Sequence, residues 1–285
     1  MGFMFLKISA ISRAKGHNAL NKAAYISRDR LIDQRTGDIF DHRDRADLVH
    51  AEIKTPNQNP THPTWVRQRE ALWNAVEQHE TRVNARTARE LVISLPHELS
   101  ETARYDAASQ FAQGVANRYG VAADLAIHQP PVNGDPRNHH AHILLTPRVI
   151  TPEGFGAIAR LYEPSLSLEA PKRMHFLKEV QQLRVWWAQT ANHEYIKAGL
   201  AERLEALTPR YRAWLLEHRP HDTRLSADHS IDTETVAMKN DQKAIAAYWA
   251  YRRAQLNPKE QPQRELVIQP PTHQQQLGHD NDFSL

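Results

Sequence analysis

The stretch ADLAIHQPPVNGDPRNHHAHILLTPR, residues 123–148, decides the fold because it predicts two strands joined by a turn-rich loop. Residues 123–129 and 139–146 are apolar runs of the length of a strand. Between them, residues 130–138 contain three prolines, one glycine and two asparagines, the residue types that favour turns. A turn-rich loop of this kind allows the two strands to pair antiparallel.

Four histidines lie within these two predicted strands. Side chains alternate faces along a strand, so His140 and His142 project from one face and His139 from the other. In the antiparallel pair, His128 lies across from His140 or His142. Three imidazoles would then converge on one face, a three-ligand arrangement with open positions that is typical of a catalytic metal site. The alternative is three unrelated histidines in a chain that contains 17 of them.

Composition places the chain among globular proteins of a reducing compartment. Its 285 residues include 36 Lys and Arg against 33 Asp and Glu, and 40% are hydrophobic, which is typical of a folded domain. The lack of cysteine excludes disulfides, thiolate zinc sites and thiol nucleophiles, and it favours the cytoplasm. No apolar run approaches the roughly 18 residues of a membrane helix. We also expect no secretory signal, since the apolar start soon meets Lys7.

The order of predicted strands and helices indicates an α+β fold. We expect a mostly antiparallel sheet with the histidines on one face, helices packed on the other, and a helical C-terminal part. The main domain is predicted over residues 1–200, with short strands and loops in residues 31–61 and irregular structure in residues 151–171. The helical C-terminal part covers residues 201–256. Residues 257–285 contain four prolines and three consecutive glutamines, which predicts a disordered tail.

The N-terminal segment concentrates positive charge. Residues 1–30 hold six Lys and Arg against one acidic residue, a net charge of +5, whereas the whole chain carries +3. Such a segment is suited to phosphate contacts, although a solvated basic face is the ordinary alternative. A helix is predicted from the N-cap Asn18 to about Asp29, and Tyr25 lies on it between two basic residues. Alone, such a tyrosine is more often a packed residue than a nucleophile. The candidate DNA-binding residues are Arg13, Lys15, Lys22 and Arg28.

These residues resemble a known family. ISRAKGHNALNKAAYISRDRL, residues 11–31, closely resembles the first motif of the MobA/MobL relaxases, which are plasmid mobilisation nickases of the His-hydrophobe-His endonuclease superfamily. Residues 72–99, 125–128 and 138–148 match further family segments in the same order and with the same spacing, and His140-Ala141-His142 matches the His-hydrophobe-His element. The resemblance covers about residues 1–200.

The resemblance implies roles for particular residues. Tyr25 matches the family's nucleophile, and His128, His140 and His142 match its metal ligands. Glu90 matches an acidic position near the site; from its place alone, it is either a solvated strand end or an acceptor that orients a ligand imidazole.

The resemblance also implies a reaction, a cofactor and partners. The reaction is transesterification of single-stranded DNA at a plasmid transfer origin, through a 5′-phosphotyrosyl link that can be reversed by religation. The metal implied is Mg²⁺ or Mn²⁺, whereas three imidazole ligands alone would favour Mn²⁺, Zn²⁺ or Ni²⁺. Accessory mobilisation proteins and a type IV secretion coupling protein are the implied partners.

Three alternative functions stay open at this point. A rolling-circle replication initiator of the same superfamily carries its tyrosine after the histidine pair, where Tyr195, Tyr248 and Tyr251 lie. A hydrolase with three histidine ligands would use metal-bound hydroxide, and Tyr25 would then be structural. A metal-stabilised DNA-binding module without catalysis is the third. Covalent attachment of a labelled DNA strand to the protein would separate them.

Overall fold

The computed structural model describes residues 5–57, 61–159, 161 and 170–204. All of these belong to the first of two units into which the chain divides, Met1–Met238. The predicted tail and nearly all of the predicted helical C-terminal part, from residue 205 onward, lie outside the described residues. Within the part that is described, no helix is long and apolar enough to cross a membrane.

Among the described residues, a five-stranded antiparallel sheet forms the centre of the fold, and two small hairpins and four α-helices surround it. The strands are β1 (Leu6–Ser12), β2 (Arg30–Ile32), β3 (Ile39–Asp41), β4 (Leu48–Lys54), β5 (Arg86–Ser94), β6 (Ala123–His128), β7 (His140–Leu145), β8 (Arg148–Thr151) and β9 (Gly154–Ile158). The helices are α1 (Ala19–Ser27), α2 (Arg69–His79), α3 (Glu101–Tyr119) and α4 (Ala170–Lys197). The central sheet has the order β1-β5-β7-β6-β4, and β2–β3 and β8–β9 are the hairpins.

The predicted histidine hairpin is confirmed. β6 and β7 pair antiparallel, with His128 directly opposite His140. β7 lies in the middle of the sheet, and its other neighbour is β5, where Val92 pairs with His142. His140 and His142 therefore lie on the central strand of the sheet, which is hydrogen-bonded to a neighbouring strand on each side.

The α+β class and the antiparallel sheet agree with expectation, but the placement of the helices needs a correction. α3 and α4 pack on the face away from the histidines, around Phe111 and Trp187. α1 and α2 cover the histidine face, where Leu20 and Trp73 pack with Leu144. The reason is that both faces of the central strands carry apolar side chains, so both must be shielded from water.

Two further strand regions were only partly predicted. β4, within residues expected to form short strands and loops, pairs with β6 and becomes an edge of the central sheet. Residues 151–158, expected to be irregular, contribute to the β8–β9 hairpin. The predicted helix near residues 173–197 is present as α4.

Local sequence explains where α1 begins and ends. The Asn18 side chain accepts a hydrogen bond from the Asn21 N–H at 3.0 Å, which is the expected N-cap. The helix ends at Ser27 because Arg28 adopts a left-handed conformation with φ 52°, two residues before the predicted end. Small residues of α1 (Ala19, Ala23 and Ala24) are fully buried, so the helix lies close to the sheet.

Candidate active site

Three imidazoles meet on one face of the sheet. The ring centroids of His128, His140 and His142 lie 5.1–5.3 Å apart in every pair. The β6–β7 register produces this arrangement, because it sets His128 opposite His140 while His142 follows two residues later on the same face. His139 precedes β7 and lies outside this cluster.

Hydrogen bonds fix the orientation of two of these rings. The Nδ1 atom of His140 lies 3.0 Å from the carbonyl oxygen of Asn138, and Nδ1 of His142 lies 2.6 Å from Oε1 of Glu90. When Nδ1–H donates in this way, the Nε2 atom keeps a free lone pair. This is the pattern in which a carbonyl or carboxylate orients a metal-binding histidine.

His128 is engaged at both ring nitrogens. Its Nε2 atom lies 2.8 Å from the carbonyl oxygen of Ile26, and its Nδ1 atom lies 3.1 Å from Nη2 of Arg28 and 3.2 Å from Oδ2 of Asp47. Burial lowers the pKa of His128 to about 4, against the opposing effect of the Asp47 hydrogen bond. Burial also lowers the pKa of His140. Both rings are therefore neutral near pH 7, the form that can bind a metal.

Imidazole nitrogens are suitable ligands for a divalent metal, but the three histidine side chains are not positioned to bind one in this structure. Across residues 5–57, 61–159, 161 and 170–204, no group of three or more His, Cys, Asp or Glu has the geometry to hold a metal ion. His128 would have to exchange its contact with Ile26 for a metal. The Nε2 atoms of His140 and His142, in contrast, have no hydrogen-bond partner among the described residues. The metal site thus stays a prediction that the chemistry of the ligands supports.

Glu90 lies beside the imidazole cluster, where its carboxylate contacts His142. Its side chain is buried, with 6% of the residue exposed, so it is not a solvated strand end. Besides His142, its carboxylate contacts Nζ of Lys22 at 2.8 Å and the Ser9 hydroxyl, which donates at 3.2 Å. Burial alone would raise the pKa of Glu90, but His142 and Lys22 outweigh burial and lower it to about 2. Glu90 is therefore an ionised acceptor.

Tyr25 is half-buried on α1 and surrounded by cations. The guanidinium carbon of Arg28 lies 4.5 Å from the ring centroid, and Nζ of Lys22 and the guanidinium carbon of Arg45 each lie 5.1 Å away. His42 packs edge-on against the ring, with centroids 5.4 Å apart. Such contacts hold an aromatic ring in place by cation–π and edge interactions.

Arg28 links Tyr25 to the imidazole cluster. Its guanidinium donates to both carboxylate oxygens of Asp47 at 2.7 Å, to the backbone carbonyl of Tyr25, and lies against His128. Only 5% of the Arg28 side chain is exposed, which leaves little of it for the predicted contact with DNA. Its role in the described structure is to join α1 to the end of β6.

The other predicted DNA-binding residues differ in their availability. Arg13 is bound to the Glu77 carboxylate at 2.5 Å and to backbone carbonyls of the α2–β5 connection. Lys22 is bound to Glu90 and keeps 22% of its side chain exposed. Lys15 is exposed and has no ion-pair partner among the residues that the structure describes.

Three contacts of Tyr25 and Arg28 come from a segment that the sequence reasoning missed. Residues 42–47, here called the β3–β4 loop, supply His42, Arg45 and Asp47. The available signal was the polar run HRDRAD directly after a short strand. Charged loop residues are common, so this run alone could not identify a site.

Among the other candidate tyrosines, Tyr195 is fully buried in α4. Its hydroxyl donates to the Glu98 carboxylate at 2.8 Å, and it packs in the core on the sheet face away from the histidines. Tyr248 and Tyr251 lie outside the described residues.

Comparisons with known proteins identify one family and several relatives. A family model described as the MobA/MobL family matches residues 17–221. The mobilization protein MobL of Acidithiobacillus ferridurans is 32% identical over 227 residues, which cover 72% of this chain and 57% of that protein. The probable mobilization protein MobA of Bifidobacterium longum is 33% identical over 156 residues, 55% of this chain and 26% of that protein. The chain thus spans from about a quarter to just over half of the length of these relatives.

The fold also has a solved counterpart. A structure reported as "Molecular Basis of Vancomycin Resistance Transfer in Staphylococcus aureus" is similar with a TM-score of 0.58 and 27% sequence identity. The similarity covers 72% of this chain and 99% of that chain. The same architecture therefore occurs in a second protein of related sequence.

Proposed function

The chain belongs to the MobA/MobL family, as the match over residues 17–221 shows, and on this premise we propose that it is a conjugative relaxase. In this proposal it nicks single-stranded DNA at a plasmid transfer origin, with Tyr25 as the nucleophile. The observation that carries the proposal is the link between Tyr25 and the imidazole cluster. The two basic residues that flank the ring reach Glu90 and His128, respectively.

The proposed reaction is a phosphoryl transfer in which bonds are exchanged one for one. A bond forms between the Tyr25 phenolic oxygen and the scissile phosphorus, and the bond from phosphorus to the 3′ oxygen breaks. The phenol loses a proton and the departing 3′ oxygen gains one, which leaves a 5′-phosphotyrosyl link and a free 3′-OH. Because one phosphodiester replaces another, the step can reverse and religate the strand.

Protein residues would prepare this step by holding the ring and the imidazoles. Arg28 fixes the backbone carbonyl of Tyr25 and contacts His128, while ionised Glu90 orients His142. We propose that His128, His140 and His142 hold a divalent metal, most simply Mg²⁺ or Mn²⁺ by the family resemblance. Such an ion would supply positive charge to a non-bridging phosphate oxygen. Positioning of this kind lowers the barrier because the reacting groups are already aligned.

The decisive experiment determines which end of the cut DNA strand becomes attached to the protein. Single-stranded oligonucleotides that tile the DNA around the gene are labelled at either the 3′ or the 5′ end and incubated with protein and Mn²⁺. A 5′-phosphotyrosyl link should transfer only the 3′ label to denatured protein, and the 5′ label should appear on a free fragment. Tyr25→Phe should still bind DNA but form no adduct, and the labelled peptide of the wild type should contain Tyr25.

The alternatives predict other products. Nicking by Tyr25→Phe at the normal rate, without an adduct, would instead support a hydrolase. An adduct that survives in Tyr25→Phe and maps to Tyr195, Tyr248 or Tyr251 would support a replication initiator. DNA binding without cleavage in the presence of metal would support a DNA-binding module without catalysis. The buried hydroxyl of Tyr195, on the sheet face away from the histidines, argues against Tyr195 as that nucleophile.

A further inference from the structure

The cations around Tyr25 differ in what else they bind. Lys22 is paired with Glu90 at 2.8 Å, and Arg28 is paired with Asp47 through two bonds of 2.7 Å. Arg45 is exposed, and no carboxylate of the described residues pairs with it. Arg45 is therefore the one of these three cations that no carboxylate of the described residues neutralises, so its charge and its donors are available to a ligand at the Tyr25 ring.

The β3–β4 loop holds Arg45 in place through contacts at both of its ends. At the start, the His42 N–H donates to the Asp29 carbonyl at 3.1 Å. At the other end, the backbone N–H and the side chain of Gln129 donate to the carbonyls of Asp47 and Ala46 at 2.9 and 3.3 Å. The loop therefore bridges the C-terminal end of α1 and the end of β6, which carries His128. An exposed side chain on an anchored loop can bind a ligand without first ordering the backbone.

We propose that Arg45 is a catalytic residue that binds the non-bridging oxygens of the scissile phosphate. This inference rests on the proposed relaxase function and adds a residue to its site. A guanidinium offers several N–H donors in a planar fork that matches two phosphate oxygens. In phosphoryl transfer the negative charge lies on those oxygens in the transition state, so donors fixed there accelerate the reaction. No covalent bond to Arg45 forms or breaks in this step, and no proton passes through it.

Arg43 provides a matched control for this assignment. It lies two residues away in the same loop and is exposed like Arg45. Its guanidinium, however, is paired with Asp41 through bonds of 2.9 and 2.7 Å. Loss of either arginine removes one positive charge from the same loop. Any effect of long-range charge on DNA binding should therefore be similar for the two variants.

The experiment compares Arg45→Ala, Arg45→Lys and Arg43→Ala with the wild type. Affinity for single-stranded DNA is measured by fluorescence anisotropy, and the rate of adduct formation is measured in single turnover with saturating 3′-labelled DNA. We expect Arg45→Ala to lower the rate roughly a hundredfold or more, the loss seen when one donor to a developing charge is removed. Arg43→Ala should stay within about twofold, and DNA affinity should change to a similar small extent in both.

Two further measurements separate a chemical role from a structural one. Added guanidinium ion at millimolar concentration should restore part of the rate to Arg45→Ala but leave Arg43→Ala unchanged. Arg45→Lys should recover only part of the rate, because an ammonium cannot bind two oxygens in a fork. Unchanged circular dichroism and melting temperature would show that the variants are folded.

Some results would overturn the proposal. Equal rates for Arg45→Ala and Arg43→Ala at saturating DNA, with equally weakened binding, would make Arg45 a general electrostatic contact. A wild type that cleaves DNA but forms no adduct at Tyr25 would instead refute the relaxase function itself. The two failures are therefore distinguishable in the same set of measurements.

Discussion

Replacement of Arg28 by lysine tests how strongly the buried ion pair joins α1 to the sheet. Lysine keeps the charge and also the cost of the left-handed backbone, which applies to any residue with a side chain. It cannot reproduce the two parallel bonds to Asp47 together with the contacts to Tyr25 and His128. A hydrogen bond to a charged group contributes about 1.5–3 kcal/mol to stability. Because 26% of the Asp47 side chain is exposed, we expect the free energy of unfolding to fall by a value near the lower end, about 2 kcal/mol.

Urea denaturation followed by tryptophan fluorescence measures this difference. A loss of about 2 kcal/mol corresponds to a roughly 30-fold larger unfolding constant, with the denaturant slope unchanged. Adduct formation should slow as well, because the same side chain fixes the Tyr25 carbonyl.

The control for this prediction is Arg43→Lys. This substitution removes one hydrogen bond from the ion pair between Arg43 and Asp41, whose geometry is similar. The pair lies in solvent, because 61% of the Arg43 side chain and 41% of the Asp41 side chain are exposed. Because water screens such a pair, we expect no measurable change in stability. If both lysine variants unfold at the same urea concentration as the wild type, the burial of Arg28 does not strengthen its ion pair, and the reasoning fails.

A histidine, a lysine and a glycine provide three further tests. His142→Ala should lower Mn²⁺ affinity in calorimetry and abolish nicking, whereas His139→Ala should do neither; equal losses would place both rings at the metal. Lys15→Glu should weaken single-stranded DNA binding and flatten the slope of log K against log salt by about one for each lost phosphate contact. An unchanged slope would show that the DNA does not contact Lys15. Gly114→Ala should destabilise the fold by about 1–3 kcal/mol, because a methyl group there would overlap the Trp186 ring; a more stable variant would contradict this packing.

The parts of the site that follow from local sequence could be predicted. Strand alternation predicted which face each histidine occupies, and an antiparallel pair predicted that His128 lies opposite His140 or His142. The structure shows that its partner is His140. Asn18 marked the start of α1, so Tyr25 could be placed on a helix. The role proposed for Tyr25 rests on the family resemblance, because nothing in its local sequence distinguishes a nucleophile from a packed residue.

The parts that depend on distant contacts could not be predicted. Arg28 was counted as a surface cation, but its partner Asp47 is on another loop and its contact His128 is 100 residues away in sequence. Asp47 reaches the site only because β4 joins the sheet beside β6, and the short polar run before β4 gives no sign of that pairing. Charge can be counted from a sequence, whereas burial of a charge depends on the tertiary fold.

The order of strands in the sheet has a consequence for biosynthesis. β1 is an edge strand whose neighbour is β5. The contact between Ser9 and Glu90 can therefore form only after a further 81 residues have been synthesised. Loops of this length close slowly compared with local helices. During translation, α1 can form early, but the imidazole cluster cannot form until β6 and β7 have left the ribosome. The proposed DNA-nicking activity should therefore arise only once His142 has emerged and the sheet has closed, and shorter nascent chains should be inert.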